Sequence, residues 1–339
     1  MMFDTSTKRS FGAKVAMRSR WLAGLFALIA LTAVLIAPHA AQAQAPARPL
    51  RIVIPFATGS YTDNFARIVV PPFAERLRAV VLIDNKPGAN GAIAAEAVAK
   101  SAPDGLTVLL GGSSSIAINP SLYKTLPYDP IRDLVPVARS GSLPFMLVAH
   151  PSVPATNVPE LIAYAKQNPG KLTYATPNSS SLMAMEMFKR RAGVDILSVP
   201  YKSSPQAMLD MLANQVQIQI ADYATAIPHV RSGKARVLAV TMAQPTPLLP
   251  GVHTVDEVLK GFDVSAWNGL FVSRNTPAAT IQRIATAWNE TLAQRDVQDR
   301  LATMGFDVST MGPEAFAPYV REQIANWARL AQETGIKPE

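Results

Sequence analysis

Short turns rich in serine, threonine and glycine follow three apolar runs in this sequence, and they are the residues best suited to chemistry. Their hydroxyls and free backbone N–H groups could hydrogen-bond an anion, and a hydroxyl beside a general base could act as a nucleophile. Two functions are therefore open, anion binding and hydroxyl catalysis. The turns comprise Thr58-Gly59-Ser60-Tyr61-Thr62-Asp63, Gly111-Gly112-Ser113-Ser114-Ser115 and Thr176-Pro177-Asn178-Ser179-Ser180-Ser181.

Motifs of well-known enzyme classes are missing from the sequence. It has no G-x-S-x-G, H-E-x-x-H, G-x4-G-K-[ST] or G-x-G-x-x-G segment. We expect His150, His229 and His253 to be surface or capping residues. A periplasmic serine hydrolase is the weaker alternative, since it would need His150 or His229 beside a serine of 113–115 or 179–181. The sequence predicts no catalytic residue, cofactor or metal, and anion binding is the favoured function.

The turns sit between strand-like and helix-like segments that alternate along the chain. This alternation predicts an α/β fold with mainly parallel sheets flanked by helices. Ligands of such sheets bind beyond the carboxyl ends of the strands, where the three turns are expected. The predicted strands are 51–56, 80–83, 107–110, 145–149, 172–175, 216–221 and 236–241, and the predicted helices are 90–102, 159–167, 179–192 and 204–214.

Prolines give further local predictions. Thr276-Pro277 predicts a helix start with the threonine as cap, and a last helix is predicted from Pro313. Pro71-Pro72 falls within the helical pattern 63–77 and predicts a kink or two short helices, because proline cannot donate a backbone hydrogen bond.

The N-terminus has the pattern of a secretory signal. Five basic residues lie within residues 1–20, followed by the apolar run 21–37 and then Ala41 and Ala43. A basic region, an apolar region and an Ala-x-Ala site predict cleavage after Ala43 and a periplasmic protein. An uncleaved anchor is the alternative, although the apolar run is short for a membrane span.

Composition narrows the class further. The chain of 339 residues has a net charge of +8 and no cysteine. Half of that charge lies in the leader, and no basic run with interleaved aromatic residues follows it, so nucleic acid is not an expected partner. The roughly 300 residues beyond the leader suit two lobes, and the lack of cysteine excludes disulfides and thiolate metal sites.

The same turns carry a family resemblance that extends over the whole chain after the leader. The sequence resembles the Bug-type solute receptors of the tripartite tricarboxylate transporter family. Several stretches in a fixed order make this match specific, whereas any one alone is weak. They are 55–63 (PFATGSYTD), 84–91 (DNKPGANG), 102–105 (APDG), 117–123 (AINPSLY), 126–130 (LPYDP), 199–202 (VPYK) and 265–270 (SAWNGL).

The resemblance implies a clamshell, or Venus flytrap, that closes on a small carboxylate. Lobe 1 would comprise residues 44–148 and 266–339, and lobe 2 residues 149–265. It also implies a monomeric receptor that serves a two-component membrane permease, with a ligand-sensing subunit of a receptor kinase as the alternative. The implied ligand-binding residues are Phe56, Thr58, Gly59, Ser60, Tyr61, Thr62, Asp63, Ser115, Thr176, Asn178, Ser179, Ser180, Ser181 and Asp222.

Departures from the family pattern bear on the ligand. Ser60 stands where the family usually has glycine, and Ile116 and Leu182 stand where relatives often have histidine. Fewer imidazoles and more apolar bulk indicate a monocarboxylate or aromatic acid rather than a citrate-like polyacid. We expect such a ligand to pack against Phe56 and Tyr61.

Overall fold

Strands and helices alternate through the chain as expected. The computed structural model describes residues 48–338, and the predicted leader, residues 1–43, lies outside them. In the first part, the elements are β1 (Leu50–Ile54), α1 (Tyr61–Leu77), β2 (Val81–Asn85), α2 (Ala92–Ala99), β3 (Thr107–Gly112), a π-helical turn (Ser113–Ile118), α3 (Asn119–Leu122) and β4 (Leu134–Ala149).

The second part repeats the alternation and the third is mainly helical. The second part contains α4 (Val158–Gln167), β5 (Thr173–Thr176), α5 (Ser179–Ala192), β6 (Leu197–Pro200), α6 (Ser204–Leu212), β7 (Ile218–Asp222), α7 (Tyr223–Arg231) and β8 (Arg236–Val240). The third contains β9 (Ser265–Ser273), α8 (Ala278–Leu292), α9 (Arg295–Thr303), β10 (Asp307–Met311) and α10 (Pro313–Thr334). Within residues 48–338, no helix is both long and apolar enough to cross a membrane.

The strands form two sheet halves that share the long strand β4. The first half has the order β2-β1-β3-β9-β4, with β10 also on β4. The second half has the order β4-β7-β5-β6, with β8 also on β4. β4 pairs with β9 from Leu134 to Pro144 and with β7 from Phe145 to Ala149, so it changes partner within one residue step.

Four pairs of the described strands are parallel and five are antiparallel, and every antiparallel pair includes β4 or β9. β1 pairs with β2 and β3 in parallel, and β5 pairs with β6 and β7 in parallel. Two parallel blocks are therefore joined through an antiparallel centre. The predicted α/β fold is confirmed, with a mixed rather than purely parallel sheet.

Aromatic side chains fix the helices on both faces of the first sheet half. Trp288 of α8 is fully buried and meets Phe73 of α1 edge-on at a centroid distance of 5.0 Å. On the other face, Trp267 of β9 meets Phe316 of α10 edge-on at 5.7 Å. Both tryptophans are buried, so each face of this sheet half is joined to its covering helix by an aromatic contact.

Two proline predictions are corrected. Helix α1 continues through Pro71 and Pro72 as a single helix, so two short helices was the wrong alternative. Buried Val69, Val70 and Phe73 pack the helix against the sheet, which offsets the backbone hydrogen bonds that the prolines cannot make. Thr276 does not cap α8: its hydroxyl donates to the Ser273 carbonyl at 2.8 Å.

Several elements were not predicted. The sequence analysis missed the first eleven residues of β4, together with α3, β6, α7, β9, α9 and β10. Pro136, Gly141 and Pro144 interrupt the apolar pattern of β4, and the strand accommodates them with register shifts along its pairing with β9. β10 is short and only partly buried, so it carries no clear alternating pattern.

Gly112 allows β3 to approach β9 at a distance that excludes any side chain. A Cβ atom built on Gly112 would lie 2.0 Å from the carbonyl oxygen of Trp267. Both atoms belong to backbone in the centre of the sheet, so neither can move aside without disturbing strand pairing. The sequence pattern Gly111-Gly112 after an apolar run reflects this close approach.

We predict that Gly112→Ala lowers the free energy of unfolding by about 2–3 kcal/mol, because the methyl group must push two central strands apart. Urea denaturation of the folded chain measures this loss. Gly312→Ala is the matched control, since a Cβ there meets nothing within 4 Å and φ is −76°. Equal stability of the two variants would contradict the close-approach argument.

Candidate ligand-binding site

A cavity lies where the carboxyl ends of β1, β3, β5 and β7 meet the start of β9. It encloses about 580 Å³, counting its open side. Eight of the residues implied by the resemblance line it. These are Phe56, Ser60, Tyr61, Thr62, Ser115, Asn178, Ser180 and Asp222.

The N-terminus of α1 forms one wall of the cavity. Ser60 caps this helix, and its Oγ accepts a hydrogen bond from the backbone N–H of Asp63 at 3.3 Å. Because the first turn of a helix has no intrahelical acceptors for its N–H groups, those of Tyr61 and Thr62 are available to a ligand. Gly59, just before the cap, has φ +79°, which a residue with a side chain rarely adopts.

Asp63 is a positioning residue for this wall and does not line the cavity. Its buried carboxylate accepts hydrogen bonds from the Gly59 N–H at 2.9 Å and from Arg67 Nε at 2.9 Å. Burial by itself would raise the pKa of Asp63, but hydrogen bonds from Arg67, Gly59 and Asn85 outweigh it and lower the pKa. The carboxylate therefore ties the loop at Gly59 to helix α1. Thr58 and Gly59 also lie outside the cavity lining.

The N-terminus of α5 forms the opposite wall. Asn178 caps it, with Oδ1 accepting from the Ser181 N–H at 2.9 Å. The first-turn N–H groups of Ser179 and Ser180 have no acceptor within the helix. Only Asn178 and Ser180 line the cavity, because the Ser179 hydroxyl donates to Asn119 at 3.1 Å and the Ser181 hydroxyl to the Ile220 carbonyl at 3.1 Å.

A pair of hydroxyls joins the π-helical turn after β3 to the wall formed by α5. Ser114 Oγ, in the π-helical turn after β3, lies 3.0 Å from Ser180 Oγ at the start of α5, and both side chains are buried. Ser115 of the same turn accepts from the Gly112 N–H at 3.3 Å. Single π-helical turns occur often at functional sites, and this one aims three serines at the cavity.

Asp222 is the one acidic side chain of the cavity wall. It caps α7, with Oδ1 accepting from the Thr225 N–H and Oδ2 from the Thr225 hydroxyl, both at 2.9 Å. Burial raises the pKa of Asp222 despite these hydrogen bonds. Among the residues that line the cavity in the described chain, none is lysine, arginine or histidine.

Sequence reasoning missed Trp267 and Asn268 as residues of the cavity. They are the third and fourth residues of strand β9 and line the cavity beside Ser113, whose Oγ accepts the Trp267 backbone N–H at 3.0 Å. The sequence analysis uses the segment 265–270 only as a family motif. A tryptophan and an asparagine near the start of a buried strand were the available signal, since buried polar side chains need partners.

A wider outer cleft continues from the cavity towards solvent. Phe56 and Asn178 border both spaces, so they mark the passage between them. Thr176 lies on the outer cleft, where its hydroxyl donates to the Val199 carbonyl at 3.2 Å. Leu182 also borders the outer cleft, whereas Ile116 is fully buried in the core and borders neither space. Lys202 is exposed at the mouth.

The three histidines within residues 48–338 lie outside the cavity lining. His150 Nδ1 is 2.8 Å from Ser152 Oγ, and His253 Nδ1 is 2.7 Å from Glu257 Oε2. His229 lies in the last turn of α7, at the opposite end from Asp222. No histidine in residues 48–338 borders the cavity, so its serines lack an imidazole base.

The fold and this cavity are typical of two-lobed solute-binding proteins. The family model for the tripartite tricarboxylate transporter family receptor, TctC, matches residues 65–336. The chain belongs to this receptor family. Because the family and its structural neighbours are binding receptors, this protein is not an enzyme, and the hydrolase alternative is set aside.

Individual relatives agree with this assignment. Protein BugT of Bordetella pertussis (strain Tohama I) is 32% identical over 320 residues, covering 93% of this chain and 98% of BugT. An R. palustris protein solved with adipate has a TM-score of 0.82 and 32% identity over 87% of this chain and 99% of its own. The periplasmic binding protein BugD gives the same TM-score, 0.82, and 32% identity over 87% of this chain and 100% of BugD.

We predict that Asp63→Asn lowers the free energy of unfolding by about 1–2 kcal/mol near pH 7, since the buried carboxylate loses charge-assisted bonds to a half-exposed arginine. The pKa of Asp63 is lower folded than unfolded, so its stabilisation is complete above the unfolded value of about 3.9 and is lost as pH falls through the folded value. Urea denaturation between pH 2 and pH 7 should show the two proteins converging at low pH.

The control for this prediction is Asp299→Asn. Asp299 pairs with Arg295 at 4.0 Å, and the two side chains are 74% and 95% exposed. Such a pair contributes little, so we expect this variant to match the wild type within about 0.5 kcal/mol at every pH. A pH-independent loss in Asp63→Asn would contradict the role of its charge.

Proposed function

We propose that this protein captures a small carboxylate in the cavity and holds it between two lobes. The observation that carries the proposal is the pair of opposed helix N-termini, at Ser60 and Asn178, on a cavity without a basic side chain. Free N–H groups and the positive end of the helix dipole favour an anion without any cationic residue. Carboxylate binding by the adipate-bound relative supports the same class of ligand.

Closure around the ligand follows from the position of the donors. N–H groups of α1 and α5 lie on opposite walls, so one carboxylate can satisfy both sets only when the walls are close together. The ligand would therefore stabilise the closed arrangement through its higher affinity for it. The Ser114–Ser180 hydroxyl contact, at 3.0 Å, adds a direct bond between the π-helical turn after β3 and the α5 wall in this arrangement.

The partner change within β4 supports lobe boundaries close to those predicted. We place the first crossing at Pro144–Phe145 and the second just before Ser265, where β9 begins. Lobe 1 would then hold β1–β3, β9 and β10, and lobe 2 would hold β5–β8. We further propose that the chain works as a periplasmic monomer that delivers its ligand to a two-component membrane permease, as the family description supports.

Charge restricts how a ligand can lie in the site. A second carboxylate within the cavity would face Asp222 with no cation nearby, which is unfavourable in a buried space. A monocarboxylate or aromatic acid, packed against Phe56 and Tyr61, avoids this cost and stays our proposed ligand class. A longer dicarboxylate could fit only by extending past Phe56 towards Lys202 in the outer cleft.

Thermal unfolding with matched pairs of compounds tests the proposal. We expect at least one carboxylic acid to raise the melting temperature of residues 44–339, because a ligand that binds only the folded state stabilises it by mass action. The corresponding neutral amide should have no effect, since it lacks the charge that the helix N-termini favour. The panel covers benzoate, butyrate, adipate and citrate, each beside its amide.

The outcomes separate the ligand classes. A shift with benzoate or butyrate supports the monocarboxylate class, and a shift with adipate alone supports the extended dicarboxylate. A larger shift with citrate would overturn the proposed selectivity. Equal shifts with acids and amides, or none with any acid at millimolar concentration, would overturn carboxylate capture itself.

Lys202 at the cleft mouth gives a kinetic prediction. A lone cation beside the path to the cavity attracts an anion at long range, so Lys202→Gln should reduce the association rate constant by about threefold or more at low salt. The difference in association rate constant between the variant and the wild type should disappear near 0.5 M salt, where screening is strong. Stopped-flow fluorescence with the acid found above measures both rates.

Lys234→Gln serves as the matched control, because Lys234 is exposed just beyond the C-terminal end of α7, away from the cleft. It removes the same charge and should leave the association rate unchanged. If both variants slow association equally, net charge rather than the position of Lys202 governs capture.

A further inference from the structure

Asn268 occupies a place in the sheet where neither neighbouring strand offers a side chain. On one side it is opposite Gly112 of β3, and on the other it is opposite Gly141 of β4. Both glycines are required by close contacts, because a Cβ at either would lie 2.0 Å from a backbone oxygen. The side chain of Asn268 is thus left without cross-strand partners and borders the cavity.

Two residues of the cavity wall have buried polar atoms without partners. Neither Oδ1 nor Nδ2 of the Asn268 amide has a hydrogen-bond partner within the described chain, and the residue is 5% exposed. Tyr61 Oη is in the same condition, and that residue is 6% exposed. Both residues line the same cavity.

This arrangement is costly unless something in the cavity satisfies it. A buried polar group without a partner destabilises the folded state, and native proteins keep few of them. Two such residues on one cavity are therefore better explained by a bound group than by chance. They offer two kinds of donor, from amide and phenol, and one amide acceptor.

We propose that Asn268 and Tyr61 form a neutral polar subsite that binds a hydroxyl or carbonyl group on the ligand. The ligand class is then a hydroxy- or oxo-carboxylate, with its carboxylate at the helix N-termini and its second oxygen at Asn268. This inference rests on the proposed carboxylate function. It adds a specific requirement on the rest of the ligand.

Other groups fit this subsite less well. A second carboxylate would meet the nearby acid Asp222 without a compensating cation. An alkyl group would leave the amide and the phenol unsatisfied. A hydroxyl can donate to the Asn268 carbonyl and accept from Tyr61, and a carbonyl can accept from both residues, so these groups match the available donors and acceptor.

Calorimetry with pairs of acids that differ by one hydroxyl tests the subsite. The pairs are lactate and propionate, 3-hydroxybutyrate and butyrate, and mandelate and phenylacetate. In at least one pair we expect the hydroxy acid to bind the wild type roughly tenfold more tightly or better, because the deoxy acid leaves built polar groups unpaired. Asn268→Leu should reduce that preference to threefold or less, mainly by weakening the hydroxy acid.

Two further variants keep the test decisive. Tyr61→Phe removes one buried hydroxyl and should also reduce the preference, even if Asn268→Leu does not fold. Asn289→Leu is the matched control: Asn289 in α8 also has a buried, unpartnered Oδ1 in the described structure but lies outside the cavity, so the preference should be unchanged.

The results separate this inference from the proposed function. If hydroxy and deoxy acids bind within threefold of each other in every pair, the subsite is wrong while carboxylate capture stands. If Asn268→Leu lowers the affinity for both acids of a pair equally, the subsite is also wrong. Asn268 would then affect binding only through the shape of the cavity. If no acid binds and amides behave as acids do, carboxylate capture fails and this inference fails with it.

Discussion

The close approach of β3 to β9 is the constraint on which the site depends. Gly112 brings the two backbones together, and the chain then enters the π-helical turn at Ser113, whose hydroxyl accepts the Trp267 N–H at 3.0 Å. This bond fixes the turn against the start of β9. Ser114 is thereby aimed across the cavity, and Asn268 is placed on its wall. A side chain at position 112 would disturb all of these features together.

The charge distribution of the site follows one principle. Its positive character comes from backbone dipoles at the ends of α1 and α5, and not from basic side chains. Charged residues instead serve as supports: Asp63 accepts the Gly59 N–H and is itself paired with Arg67, and Asp222 caps α7. Dipoles that are fixed by secondary structure need little reorganisation when an anion arrives, which favours selectivity by shape and hydrogen bonding.

Sequence reasoning found the alternating elements and the three turns because these depend on local patterns. Helix α5 was predicted with the bounds Ser179–Ala192 that the structure has, since Asn178 and Gly193 are strong local signals for its ends. Which turn residues face the cavity could not be predicted. Ser179, Ser180 and Ser181 differ only in their partners across the fold, and those partners, Asn119, Ser114 and Ile220, are distant in sequence.

The missed residues share a tertiary cause. Asn268 borders the cavity because glycines on two other strands leave room for it, a relation that no local pattern contains. The first part of β4 escaped prediction because its prolines and glycine obscure the alternation of a strand. Ile116 shows the opposite kind of error. The sequence analysis relates this departure from the family pattern to the choice of ligand, but the Ile116 side chain is buried in the core.

The shared strand β4 has a mechanical consequence. At the point where the chain passes between the sheet halves, Leu143 and Pro144 of β4 lie beside Ala266 and Ser265 of β9 in register. Two adjacent connecting strands would act as a hinge with a single axis. They would permit bending about that axis and resist twisting of one sheet half relative to the other. Closure confined in this way samples few relative orientations, so little conformational entropy would be lost when the cavity closes on a ligand.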